Sequence, residues 1–181
     1  MIRLSEKFVP LEMKCGHVIT PIGAITVVWC GASLCIAEFA ERQDRVSTAL
    51  KTWFGSASPR RVEVPQWLGL AFAGYFSGDV TALENVMLTT RGTVFQEQVW
   101  RALRLTAPGQ IKPYSDLALD LGRPKAARAV GAANALNPLA IVIPCHRLVG
   151  RDGKLTGYAG GLERKAWLLN HERRFAARAK A

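Results

Sequence analysis

Residues 18–37 run for twenty positions without a charged side chain. By length such a stretch could cross a bilayer. Its punctuation argues otherwise. Pro21 and Gly23 sit close together, Gly31 interrupts again, and Ile25, Thr26, Val27 and Val28 form a β-branched run between them. Short β-rich runs separated by turn residues read as a meander, with strands near 14–20, 24–30 and 34–39 and turns at 21–23 and 31–33. The first 20 residues also lack a basic start followed by an apolar stretch, so no secretory signal is expected. The default setting is a reducing cytosol with free thiols, since four cysteines in 181 residues make no disulfide scaffold.

Behind the meander, Val46, Leu50 and Phe54 recur at a spacing of four and predict a helix over 43–54. Residues 55–65, with Gly, Ser, Pro and two Arg, predict a loop, and 66–76 a second apolar helix. An extended connection over 85–92 predicts a boundary, giving an N-terminal domain over 1–90 and a C-terminal domain over 91–181. Charge divides at the same place. Eight Lys and Arg balance eight Asp and Glu in residues 1–90, whereas residues 91–181 carry sixteen against six. The whole net charge of +10 therefore sits in the second half. That suggests a polyanion, nucleic acid first, though a solvated basic surface fits too.

The second half reads as helices. Thr93 and Gln96 have the spacing of a capping box, and Phe95, Val99 and Leu103 continue the helix they open. A short helix over 114–121 stops at Gly122. Pro124 suits the first turn of another helix over 124–136. The pair has the outline of a helix-turn-helix. A hairpin around Asp152 and Gly153 and a last helix over 162–173 complete the chain. The expected fold class is α+β: a small N-terminal β-meander with helices, packed on a mainly helical C-terminal domain that contains the helix-turn-helix.

The second helix of the pair holds six alanines between 125 and 135, together with Gly131, and offers mainly Lys125, Arg128 and Asn134 as long or polar side chains. Reading bases in the major groove needs more than that. Small residues permit close approach of the backbone to another surface. A minor groove and the protein's own core both satisfy that description.

Cys145 lies between Pro144 and His146, after an apolar run. A thiol attacks as thiolate, and a neighbouring imidazole or the start of a helical turn would lower its pKa. A carboxylate behind the histidine would orient it, and Glu172 is a candidate. A packed, inert thiol remains the plainer reading of a cysteine in such surroundings.

The segment Asn137-Pro-Leu-Ala-Ile-Val-Ile-Pro-Cys145-His-Arg resembles the active-site signature of the O6-alkylguanine–DNA alkyltransferases. The likeness extends through 93–100, 125–131, 157–161 and 165–172, and touches the first half mainly at Thr20-Pro21-Ile22-Gly23. It implies an enzyme that acts once. Cys145 would take the alkyl group from O6 of guanine in duplex DNA and keep it as a thioether. His146 would accept the thiol proton through a water, with Glu172 behind it. Tyr114 would donate a proton to the departing guanine and displace the neighbouring phosphate. Asn137 would brace the turn before the nucleophile. Arg128 would fill the place of the flipped nucleotide, with Lys125, Ala126 and Ala127 beside it on the DNA. Cys145 and Leu148, with Tyr158 and Ala159, would line the guanine pocket. The partner implied is double-stranded DNA carrying O6-alkylguanine, with no membrane, and the protein is expected to be a monomer without DNA. It should reside in the cytoplasm or wherever genomic DNA lies.

Position 140 is alanine where some relatives have proline, which predicts a wider pocket. No metal or organic cofactor is implied. Cys15, His17, Cys30 and Cys35 have the types of a Cys3His zinc site but not a standard spacing, so free thiols are expected. Two other classes compete. A damage-binding protein or transcription factor on this scaffold would lack the reactive cysteine. A cysteine hydrolase or redox enzyme has no use for a helix-turn-helix; a hydrolase would also turn over repeatedly, and no resolving cysteine lies close in sequence to Cys145.

Overall fold

The computed structural model describes residues 12–55 and 57–178. The charge-free stretch is a meander of β1 (Lys14–Thr20), β2 (Gly23–Cys30) and β3 (Ser33–Phe39), antiparallel in sequence order. No described helix is long and apolar enough to cross a membrane. The secretory-signal reading of the first 20 residues falls mostly outside the described residues.

Helix α1 (Gln43–Phe54) follows β3 and ends at Gly55. The loop expected over 55–65 contains a short strand, β4 (Arg60–Arg61), parallel to β1, so the sheet order is β3-β2-β1-β4. A two-residue strand of exposed arginines has no apolar alternation, which is why the sequence hid it. Helix α2 (Gln66–Ser77) buries Leu68, Phe72 and Tyr75.

Helix α3 (Val94–Arg104) opens with the expected box. Gln96 N–H donates to Thr93 Oγ1 at 3.3 Å, and Thr93 N–H to Gln96 Oε1 at 2.8 Å. Strand β5 (Lys112–Pro113) leads directly into α4 (Tyr114–Asp120), and α5 (Ala127–Ala135) follows. The stop between them is a Schellman motif. Gly122 takes φ 69°, its N–H donates to Leu119 O at 2.8 Å, and Arg123 N–H donates to Ala118 O at 2.9 Å. Helix α5 starts three residues later than the sequence predicts. Ala126 N–H closes a turn on Arg123 O at 2.8 Å, which puts Pro124 at the second position of a β-turn rather than in a helix. Asp152 and Gly153 form a turn closed by Gly150 and Lys154, without the expected hairpin ladder, because strand β6 (Leu148–Val149) pairs with β5 instead. Helix α6 (Leu162–Arg178) runs five residues beyond its expected end.

The extended connection is hydrogen-bonded to the N-terminal sheet. Leu34 N–H donates to Met87 O and Thr89 N–H to Leu34 O, each at 2.9 Å. A second segment of the C-terminal half joins the same strand: Ala37 N–H donates to Pro138 O at 2.9 Å, and Ala140 N–H to Ala37 O at 2.8 Å. One cluster of buried side chains draws Ile25, Phe39 and Phe72 together with Val99, Trp100, Leu139 and Leu168. Arg164 of α6 lies over the Phe39 ring, 4.1 Å from its centroid, and donates to Ile22 O at 2.8 Å. Strand β3 thus anchors residues 138–140, the approach to Cys145.

Candidate active site

Residues 137–145 form a tight, buried loop that the Asn137 side chain holds at both ends. Its Nδ2 donates to Ile143 O at 2.9 Å, and its Oδ1 accepts from Leu139 N–H at 2.9 Å. Ile143 N–H reaches back to Leu139 O at 2.8 Å. This closure forces Ile141 to φ 73°, the one positive value on a non-glycine among the described residues. For a β-branched residue that conformation is strained, on the order of 1–3 kcal/mol, and it persists because the surrounding bonds over-determine it. Pro144 then takes φ −79° and ψ 63°, an inverse γ-turn, with Cys145 N–H on Ile143 O at 2.7 Å. A single 3-10 turn, Cys145–Arg147, follows.

His146 is fully buried. Its Nε2 lies 2.8 Å from Glu172 Oε1. Glu172, on α6, is also fully buried and accepts from Arg147 Nε at 2.9 Å, Arg147 Nη2 at 2.7 Å, the Tyr75 hydroxyl at 2.8 Å and Gly109 N–H at 3.0 Å. Burial alone would raise its pKa, but His146 and Arg147 more than reverse that and hold the carboxyl well below the usual range. Glu172 is therefore ionised and can only accept. Nε2 of His146 must carry the proton, which leaves Nδ1 as the basic nitrogen. Nδ1 is buried with no hydrogen-bond partner among the described residues. Burial pushes the His146 pKa down, against the pull of Glu172, so the ring is neutral at pH 7.

Cys145 sits in the wall of a cavity of about 260 Å³, together with Tyr114, Asn134, Asn137, Ala140, Tyr158 and Ala159. Burial pushes its thiol pKa up, opposed by a hydrogen bond from Asn137. The lowering expected from the adjacent imidazole and helical turn does not prevail, because desolvation disfavours a thiolate more than one short turn favours it. The resting pair is thus neutral thiol and neutral imidazole.

Tyr114 reaches the cavity because β5 pairs with β6, Lys112 opposite Leu148 and Pro113 opposite Val149. That pairing sets the start of α4 beside the turn containing Cys145. Burial raises the Tyr114 pKa, while hydrogen bonds from Thr156 and Asn134 oppose the rise. Tyr158 is more strongly shifted upward, by burial and by Cys145, and its hydroxyl has no partner among the described residues. Gly160 makes the wall possible: a Cβ there would fall 2.2 Å from the Phe39 ring.

Of the residues expected at the site, Cys145, Tyr114, Asn137, Tyr158 and Ala159 meet at the cavity, and His146 and Glu172 stand behind it. Leu148 is fully buried and lies outside the cavity wall. Lys125 and Arg128 are exposed and Ala126 and Ala127 half-buried. Lys125 and Ala126 belong to the turn before α5 rather than to the helix. Asn134, expected on the exposed face, is buried and faces the cavity. Cys15, His17, Cys30 and Cys35 form no cluster of metal-ligand groups among the described residues. His17 Nδ1 instead lies 3.2 Å from Thr26 Oγ1.

Sequence reasoning missed the shell around Glu172: Arg147, Tyr75 and Gly109. Arg147 had a signal, being a cation four residues past the apolar run that ends at Ile143. It also missed Lys165, buried with its ammonium on Thr156 O at 2.6 Å and its pKa lowered by burial to about 8. Glu38, Arg42 and Arg45 enter the cavity from the N-terminal half.

A buried thiol with a His–Glu pair beside it, on a basic scaffold with two short helices in helix-turn-helix order, defines a class: a DNA-handling protein with a nucleophilic cysteine. Comparison with known proteins agrees. The family model "6-O-methylguanine DNA methyltransferase, DNA binding domain" matches residues 94–174. The methylated-DNA–protein-cysteine methyltransferase of Salmonella typhimurium is 45% identical over 176 residues, covering 95% of this chain and 97% of that protein. That of Haemophilus influenzae is 39% identical over 156 residues, 85% of this chain and 83% of the other. The crystal structure of the Mycobacterium tuberculosis OGT in complex with DNA superposes with a TM-score of 0.72 at 39% identity, covering 90% of this chain and 92% of that one. This chain belongs to the methylated-DNA–protein-cysteine methyltransferase family.

Proposed function

We propose that the protein repairs duplex DNA by moving an alkyl group from O6 of guanine to Cys145, once per molecule. The observation that carries this is the ionised Glu172, which fixes the His146 tautomer and leaves Nδ1 as a base behind the cavity containing the thiol. The thiol proton passes to Nδ1. The Cys145 Sγ–carbon bond forms as the carbon–O6 bond breaks, and its electron pair goes to the guanine. Tyr114 gives the departing guanine a proton, and the proton held by His146 returns to solvent as Tyr114 is restored. A thioether has no ready leaving group, so the cycle ends there. Thiolate acts here as both nucleophile and acceptor, so the reaction calls for no metal or organic cofactor.

The resting pKa values fit this division of labour. A thiol and an imidazole that are both neutral add no unpaired charge to the buried site until substrate arrives. Asn137 then acts as a positioning residue: it holds the loop that aims Cys145, and its amide favours the thiolate.

A base inside a duplex must be extruded, at a cost of a few kcal/mol. Helix α5 suits that task. Its start, the half-buried Ala127 with the exposed Arg128, presents little bulk to a minor groove and one long cation to occupy the space the base vacates. Lys125 and Ala126, in the preceding turn, meet the backbone. Such contacts carry little sequence information, which fits damage that occurs anywhere. The M. tuberculosis relative was crystallised with DNA, which supports the same partner here. The guanine would lie against Tyr158 and Ala159, near the main chain of Cys145 and Leu148. The division at about residue 90 belongs to this reading as a division of roles: residues 1–90 supply a structural platform, residues 91–181 the DNA surface and the acceptor. The protein would act as a monomer that meets DNA in the cytoplasm.

The test is to mix the protein with a duplex holding one O6-methylguanine, take the intact mass and map the peptide. One added methylene on Cys145, saturating at one equivalent, supports the reading. DNA binding without mass gain would point to damage recognition instead.

A further inference from the structure

Three ionisable side chains of the N-terminal half stand in the cavity wall without a part in this chemistry. Glu38, Arg42 and Arg45 line the cavity beside Cys145. The same three, with Asn137, also line a second cavity of about 520 Å³ between α1 and the C-terminal half. One side of that second space is apolar, with Ile36, Ala49, Trp53, Leu136 and Pro138; polar side chains, among them Asp44, Arg91 and Gln96, and the exposed Thr48 complete it.

The partition between the two spaces is thin. Glu38 is 3% exposed, and its Oε2 accepts from Arg45 Nε at 2.5 Å. Arg45 Nη2 spans to Ala135 O at 2.9 Å and Asn137 O at 3.2 Å. Arg45 keeps 23% side-chain exposure on an unbranched stem, so its guanidinium has a path from these contacts toward solvent.

We propose that the second cavity is an accessory subsite for the distal end of long, apolar O6 substituents, and that the Glu38–Arg45 pair is the gate between it and Cys145. This rests on the alkyl-transfer reading above. The group transferred stays bonded to Cys145 after the carbon–O6 bond breaks, so a long tail needs a permanent place inside the protein. A methyl group is accommodated at the sulfur. A chain of several carbons has to continue past a wall of the first cavity, and beyond the wall that Glu38 and Arg45 form lie the apolar Ile36, Ala49, Trp53 and Pro138. Burial of successive methylenes there would favour long substituents in the transition state as well as in the product.

The experiment compares rates of transfer, read by intact mass, from duplexes carrying one O6-methylguanine or one O6-octylguanine. The variants are the Glu38→Gln/Arg45→Ala double, the same double with Thr48→Phe, and Thr48→Phe alone. Removing both charges together avoids stranding a buried carboxylate. Loss of the Ala135 and Asn137 carbonyl contacts slows both substrates alike and cancels in the octyl-to-methyl ratio. That ratio should rise roughly tenfold or more in the double variant, return toward the native value when Thr48→Phe fills the subsite, and fall in Thr48→Phe alone. An unchanged ratio in the double variant overturns the proposal, as does a rise that Thr48→Phe leaves in place. A native protein that takes no methyl group overturns the underlying reading instead.

Discussion

Replacing Glu172 by Gln separates the stability of this site from its chemistry. The carboxylate accepts five hydrogen bonds, and two come from a guanidinium that is itself only 4% exposed. An amide of the same shape leaves the Arg147 charge buried without a counter-ion, an effect of about 3–5 kcal/mol. At ~2–4 °C per kcal/mol for a protein of this size, that lowers Tm by about 6–20 °C. Adding Arg147→Met removes the stranded charge, so the double variant should recover roughly half or more of the loss. Methyl transfer should not recover. The neutral amide no longer dictates which His146 nitrogen carries the proton, and the rate should stay down by about 10²–10⁴ in both variants. Chemical denaturation and single-turnover mass kinetics measure the two effects. A single variant that loses under ~1 kcal/mol, or a double variant less stable than the single, refutes the ion-pair account. Restored transfer in the double variant refutes the tautomer account.

Stability should decline in acid in two stages. His146 has a folded pKa below its ordinary 6.5, so below about 6.5 the unfolded chain takes up a proton that the folded one refuses. Glu172 is depressed far below 4.5, so its contribution is full above that value and drains away as pH falls through the folded pKa. A urea midpoint that stays level from pH 7.5 to 5 contradicts the first stage; a His146→Gln variant should show that level profile. Ala140→Pro, at a 6%-exposed position in the cavity wall, removes the N–H that bonds Ala37 O and narrows the space beside Cys145, so both transfers should slow and benzyl transfer more than methyl transfer; equal slowing of both argues against a steric role. A fragment of residues 91–181 strips the β3 partners from Pro138 and Ala140 and the Phe39 ring from beneath Gly160. It should lose cooperative unfolding and transfer together, and a fragment that reacts at the native rate would show the platform to be dispensable.

The strands, the capping box and the helix-turn-helix were legible because each is written in local sequence. Pro21 and Gly31 punctuate the meander, Thr93 and Gln96 bond each other within one turn, and Gly122 alone of its neighbours suits φ 69°. Boundaries failed where a residue has two local uses. Pro124 fits the first turn of a helix and the second position of a β-turn equally well, and the bond from Ala126 to Arg123 decides between them. The cysteine, the histidine and the glutamate could be named from residue type and resemblance, but not their protonation. That depends on five donors converging on Glu172 from α2, from Gly109, and from the turn that follows Cys145 itself. No spacing rule connects Tyr75 to Glu172 across 97 positions.

The N-terminal half shows the same limit at larger scale. Its neutral charge balance and lack of chemistry-bearing motifs made it read as a platform, and its sheet does anchor residues 138–140. Yet Glu38 carried a signal of its own. It follows Leu34, Cys35, Ile36 and Ala37 in a strand and precedes Phe39, and it is buried like them. A carboxylate in such a run is costly unless paired, so its presence implies a cation brought to it from elsewhere in the fold. Arg45, in the first turn of α1, supplies that cation, and in doing so reaches the carbonyls of Ala135 and Asn137. Through Asn137 the contact extends to the loop that ends at Cys145. A buried charge whose partner is absent from its own segment is therefore a usable pointer from sequence to site, and here it leads from a structural strand to within one residue's reach of the nucleophile's loop.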